Sequence, residues 1–217
     1  MSHVAGRPVK LGVVLVGLVC GVSSCASLPG GGGPTAAGGG AATVTARPAF
    51  PENIKKLVLK FATENGTAPA GGRFTEYDGA HGPELIWVSE RTGDLCVASE
   101  TVTAGMCQTA KRTAEAPVPG VDVFEDSGLT DHHGESSWAI RLVASGEAVD
   151  HLSCQGKDFP VLKVYSADLA GALRTVYTVA IPRNLQGEYK VAVRRGSESA
   201  EERLDLNMDK VGPPAQC

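Results

Sequence analysis

The sequence has no basic run: its 20 Lys and Arg are outnumbered by 24 Asp and Glu, for a net charge of −4. That balance argues against a nucleic-acid partner and against electrostatic binding to anionic lipid. There is no Cys-x-x-Cys pair, which makes a four-cysteine metal site a poor fit. The runs Gly30–Gly33 and Gly38–Gly40 follow no strand pattern and precede no Gly-Lys-Ser/Thr, which excludes a phosphate-binding loop. Gly-x-Ser-x-Gly, a helix-starting Ser-x-x-Lys and a free cysteine beside a histidine are absent in usable form, and no paired-carboxylate signature stands out. A non-catalytic domain is therefore the expectation. The longest apolar run, Leu11 to Val22, has 12 residues. It is too short for a helix crossing about 30 Å of hydrocarbon.

What the N-terminus does contain is ordered. Arg7 and Lys10 are the only charges before Leu11, the apolar run follows, and Val22-Ser23-Ser24-Cys25 closes it. These are the n-region and h-region of a secretory signal peptide. The order aliphatic-small-small-Cys resembles the lipobox of bacterial lipoproteins, although many members carry Leu where Val22 stands. The resemblance implies cleavage before Cys25 and a diacylglycerol on its thiol, with no other cofactor. Residues 1–24 would then be the signal peptide. Two acyl chains give stable attachment where one is marginal. An ordinary signal peptide cut near Ala26 or Ala37 is the alternative, and Cys20 reads as an h-region residue. Loss of residues 1–24 removes two positive charges and moves the chain to about −6.

Residues 25–52 comprise the candidate lipidated cysteine and a Gly, Ala and Pro-rich linker, read as a disordered stalk. The 24 residues from Ala26 to Ala49 would span roughly 27 Å as a flexible coil. Residues 53–217 are long enough for one domain with a true core, or for two small β halves meeting near 111–120. Four cysteines fall in this part: Cys96, Cys107, Cys154 and Cys217. In an exported chain they read as two disulfides with three connectivities open. The favoured pairing joins Cys96 to Cys107 across a hairpin and Cys154 to Cys217, which pins the last residue after Pro213-Pro214. Such closures are worth about 3 and 4 kcal/mol in the chain-entropy model.

Pro51 to Glu64 fits two periods. Ile54, Leu57, Val58 and Phe61 recur at helical spacing, while Leu57, Leu59, Phe61 and Thr63 alternate as in a strand. The strand is preferred because the chain that follows reads as β. Residues 66–83 read as a loop with Phe74 and Tyr77 as packing points. Strands are expected at Glu84–Glu90, Leu95–Ser99 and around Met106-Cys107, then a loop at 111–120. Further strands are expected at Val121–Phe124, Trp138–Ala144, Phe159–Ser166, Arg174–Ile181, Glu188–Arg194 and Arg203–Leu206, with turns at Ser145-Gly146 and Leu185-Gln186-Gly187. Many short strands make the fold class all-β and sandwich-like, stabilised by disulfides. The Cys-Trp-Cys spacing of antibody-type domains is missing. A Trp-bearing stretch followed by a cysteine-bearing one occurs twice, Trp87 to Cys96 and Trp138 to Cys154, a hint of duplication.

The most reactive cluster is Asp131-His132-His133-Gly134-Glu135, with Glu125 and Asp126 just before it. Imidazoles and carboxylates there could take Zn²⁺ or Cu²⁺, but adjacent histidines in an extended segment point to opposite sides, and a solvated loop is the simpler reading. His81 and His151 are isolated. Trp87, Trp138 and Tyr165 would make a carbohydrate or peptide platform if exposed, and core aromatics if not. The composition and the stretch from Trp87 to Cys107 resemble secreted proteins and lipoproteins of actinobacteria. That resemblance implies the outer face of the cytoplasmic membrane and brings no activity. The expectation is a membrane-anchored envelope lipoprotein whose extracellular β domain binds or builds, with an envelope protein or wall polymer as partner. An envelope metal or redox-stress binder using the 125–135 loop and a hydrolase of wall polymers are the alternatives.

Overall fold

Helical periodicity prevails over Pro51 to Glu64. The computed structural model describes residues 49–79, 82–130, 136–207 and 215–217, with the backbone alone at 125–130, 136 and 215–216. The expected signal peptide, the expected stalk as far as residue 48 and the 131–135 cluster lie outside these residues. Helix α1 runs Glu52–Glu64 and corrects the strand preferred for this stretch. Extended Pro51 precedes it and accepts the first turn's bond from Lys55 N at 2.9 Å. Gly66, at φ +68°, takes the chain away from its C-terminal end. Ile54, Val58 and Ala62, four residues apart, form the packed face.

The β elements are β1 Thr75–Gly79, β2 Gly82–Val88, β3 Leu95–Ser99 and β4 Met106–Gln108, a short helix α2 Ala110–Glu115, then β5 Gly120–Thr130, β6 Ser136–Ser145, β7 Ala148–Cys154, β8 Lys157–Pro160, β9 Leu162–Leu169, β10 Ala172–Pro182, β11 Leu185–Arg195, β12 Glu198–Leu206 and β13 Ala215–Gln216. They form three sheets, ordered β1-β2-β3-β4, β5-β6-β10-β9 and β12-β11-β7-β8, with β13 added in parallel beside β11. All other pairings are antiparallel. The protein is all-β and sandwich-like. Several local expectations change: the 66–83 loop contains β1, the 111–120 loop contains α2, and β5 extends into the acidic stretch. Phe159–Ser166 is two strands, and the turn before β11 is at 183–184, so Leu185–Gly187 belongs to that strand.

Alternation along each strand stacks these sheets into layers. Leu85, Trp87, Cys96 and Ala98 face α1 with Phe50. Tyr77, Ile86, Leu95 and Val97, on the other face of the first sheet, meet Val143 and Val176 of the second. Ile140, Leu142, Val179 and Ile181 of the second sheet meet Leu152, Tyr189, Val191 and Leu206 of the third. The second sheet is thus covered on both faces, which is why Ala139 to Ser145 is buried at every position. The outer face of the third sheet carries cross-strand ion pairs, Glu188 with Arg203, Lys190 with Glu201 and Arg194 with Asp150. Exposed pairs of this kind add little stability but keep the face solvated.

Both disulfides form as the sequence suggested, Cys96–Cys107 and Cys154–Cys217. The duplication does not hold. Trp87 and Cys96 are direct register partners in one sheet, whereas Trp138 lies on β6 and Cys154 on β7, in different sheets. The first sheet lies before residues 111–120 in the chain, and the strands of the other two sheets follow from Gly120 onward. The halves nevertheless share the core around Ile86, Leu95, Val143 and Val176.

Candidate functional site

Two sequence signals that looked unremarkable mark the polar sites. Glu84 occupies the same face of β2 as Ile86, and Arg141 the same face of β6 as Val143, so both charges point into the apolar layer between the first two sheets. Their side chains are 2% and 3% exposed. Arg141 Nη2 meets Glu84 Oε2 at 2.7 Å, and its Nε donates to Glu84 Oε2 and to the Tyr77 oxygen, each at 3.1 Å. The Tyr77 hydroxyl donates to Glu84. Burial pushes the Tyr77 hydroxyl well above its ordinary value, with the Arg141 charge opposing the shift. A Cβ at Gly79 would land on the Glu84 carboxyl, which explains a residue without a side chain there. Glu84 Oε1 is buried without a hydrogen-bond partner, and the triad, closed to water, joins the sheets and offers no surface to a ligand.

The second cluster gathers at one end of the second and third sheets. Arg195, at the end of β11, donates to Glu147 of the β6–β7 turn at 2.8 Å and to Glu202 of β12. Glu202 uses its other oxygen to accept Val121 N of β5 at 3.1 Å. The Glu147 carboxyl is pushed up by burial, which outweighs the hydrogen bond from Arg195. Its Oε1 is buried without a partner. The pair was not legible as a motif because the two glutamates are distant in sequence. The available signal was Glu202's position on β12, on the same face as Ala200 and Leu204, which pack against the core. Chemically the cluster shares one guanidinium between two carboxyl groups and ties together four strands or their turns.

The aromatic residues follow the core reading, and a platform does not form. Trp87 and Trp138 are buried, and Tyr165 is half-buried against the core between the first two sheets. Trp87 stacks edge-on with Phe74 at 5.1 Å and donates its Nε1–H to Thr67 O at 2.6 Å, while Arg183 covers Trp138. Core packing therefore holds all three. Cys25 and the set Asp131, His132, His133 and Glu135 lie outside the described residues. Elsewhere, among the described residues, no group of three or more metal-ligating side chains converges, and no helix is long and apolar enough to cross a membrane. His151 sits 3.7 Å from Asp158 on the neighbouring strand, an ordinary surface pairing.

Tyr189 gives this core a measurable signature. Burial pushes its hydroxyl up to about 12, and it donates to Leu185 O at 2.8 Å. Because the folded value exceeds the ordinary 10.0, the stabilisation is complete below pH 10 and is lost as pH rises through 12. Tyr77 acts in the same direction. An alkaline titration followed by tyrosinate absorbance and circular dichroism is expected to show these two hydroxyls ionising only as the fold is lost. Ionisation of every tyrosine near 10 with the fold intact would contradict the burial described above.

No family model, no curated protein and no solved structure matches the chain.

Proposed function

We propose that this chain is an exported lipoprotein, anchored through Cys25 to the outer face of the cytoplasmic membrane, whose β domain serves binding or envelope structure rather than catalysis. The observation that carries the reading is the fate of the cysteines. Outside the signal region all four are consumed in two disulfides, the usage of an oxidising, extracytoplasmic compartment, and the remaining candidate for lipidation is the Cys25 of Val22-Ser23-Ser24-Cys25. A hydrolase is less well supported, since among the described residues the converging carboxylates are held by cations, Glu147 and Glu202 by Arg195 and Glu52 and Glu76 by Lys55.

The test is peptide-level mass spectrometry of the protein taken from its native membrane without reduction. A diacylated Cys25 as the first residue is expected, and Cys25→Ala should move the protein from the membrane pellet to the soluble fraction. A mature N-terminus elsewhere, with Cys25 removed or unmodified, would end the anchor reading.

A further inference from the structure

The two disulfides differ in a way that gives one of them chemistry. Cys154 is buried in the large core, and Cys217 is half-buried against it. Cys96 is fully buried facing α1, but its partner Cys107 is exposed, in the middle of the outermost strand of the first sheet. That strand, β4, is held to β3 by three register pairs, Leu95 with Gln108, Cys96 with Cys107 and Val97 with Met106. Beyond it, α2 is tied back by Ala110 N donating to Asp94 Oδ1 at 2.9 Å. A nucleophile can thus reach one sulfur of this bridge at the sheet edge without opening the core, whereas the second bridge has no exposed cysteine.

We infer that Cys96–Cys107 is a thiol–disulfide exchange site, with Cys107 as the sulfur attacked and a small thiol or protein dithiol of the envelope as the co-reactant. The incoming thiolate forms a bond to Cys107 Sγ, the Cys96–Cys107 bond breaks, and the electron pair leaves on Cys96 Sγ, which takes a proton from water. The reaction yields a mixed disulfide on Cys107 and a thiol at Cys96. The Cys96 sulfur lies 3.8 Å from the Asp94 carbonyl, so the new S–H has an acceptor in place. A second thiol equivalent then frees Cys107 and carries the disulfide away, leaving the bridge reduced by two electrons. Leaving-group character sets a limit on the rate, because a thiolate departs less readily into an apolar site. The consequence is local: β4 keeps only its backbone bonds, and its release would unpair the outer edge of β3.

The experiment uses the folded protein with both bridges formed, incubated with glutathione near neutral pH, acid-quenched and mapped by mass spectrometry. Expected is a glutathione adduct on Cys107, with Cys96–Cys107 lost at least about tenfold faster than Cys154–Cys217. Equal rates, earlier loss of Cys154–Cys217, or no exchange until denaturant unfolds the chain would each overturn the inference. Two variants read accessibility independently of exchange. In folded Cys96→Ser the Cys107 thiol should be alkylated readily by iodoacetamide, and in folded Cys107→Ser the Cys96 thiol should be protected. Cys96 reacting as fast as Cys107 would overturn it as well.

Discussion

Glu84→Ala is expected to lower unfolding stability by about 3–5 kcal/mol, measured by urea denaturation, because it leaves the Arg141 guanidinium buried without its carboxylate. Arg141 cannot shed its charge, and a side chain only 3% exposed cannot recover the lost interaction from water. The Tyr77 hydroxyl loses its acceptor in the same step. Arg141→Met should cost a similar amount, since it strands the Glu84 carboxylate. The triple variant Tyr77→Phe, Glu84→Leu, Arg141→Met removes every partner together and replaces them with apolar groups of comparable size. It should recover most of the loss, as buried ion pairs replaced by packed apolar residues commonly do. Against a typical total of about 5–15 kcal/mol, either single change would bring the domain near its unfolding threshold. Single substitutions costing less than about 1 kcal/mol would mean that the two sheets do not depend on this contact.

The recovery in the triple variant matters for what the triad is. A catalytic or ligand-binding role would predict a functional loss that survives the restoration of stability. A joining role predicts that stability is the whole effect. The geometry favours joining, since Tyr77, Arg141 and Glu84 Oε2 pair with one another inside an apolar layer between the sheets, leaving Glu84 Oε1 buried without a hydrogen-bond partner.

Strands in the middle of sheets were legible because both faces are buried and the residues say so. Leu95–Ser99 was read with the bounds it has, and Trp138–Ala144 and Arg174–Ile181 fell short only at their ends. Edge strands were harder. β1 has one buried side chain, Tyr77, and its neighbours Thr75 and Glu76 are exposed. β5 continues as an edge through Glu125, Asp126 and Ser127, a composition that a local reading assigns to a loop. An edge strand can afford polar residues because only one neighbour and one packed face constrain it. The first element was ambiguous for another reason: Leu57 and Phe61 satisfy both periods. What decides it lies outside the segment, in the apolar face of Leu85, Trp87, Cys96 and Ala98 that a helix carrying Ile54, Val58 and Ala62 covers.

The buried charges were legible as residues but not as a site. Glu84 opens the run Glu84-Leu85-Ile86-Trp87, and Arg141 interrupts Ala139-Ile140 and Leu142-Val143. Parity alone places each on an inward face, yet their meeting depends on how one sheet stacks on another, which no local pattern encodes. The cysteines were easier, because four residues allow only three pairings and one pair spans a hairpin.

Removing the other bridge, through Cys154→Ser with Cys217→Ser, is expected to have an effect of similar size by a different route. The bridge closes a segment with a sequence separation of 63, against 11 for Cys96–Cys107. Chain entropy alone gives about 4 kcal/mol for the longer loop and about 3 for the shorter. The native contacts add to this difference. Cys154 packs among Leu152, Phe159 and Tyr189, and Cys217 is the end of the segment that places β13 beside β11, with Cys217 N donating to Gln186 O at 3.1 Å. Without the bridge, the two register pairs of β13 at Leu185 and Gln186 have little to hold them. Loss should therefore appear in two measurements: a lower denaturation midpoint for the whole domain, and faster amide exchange confined at first to the C-terminal strand. Hydrogen exchange that stays slow at residues 215–217 in the double serine variant would show that backbone pairing alone holds the terminus. A midpoint shift no larger than that of Cys96→Ser with Cys107→Ser would show that loop length is not what governs the contribution of these bridges.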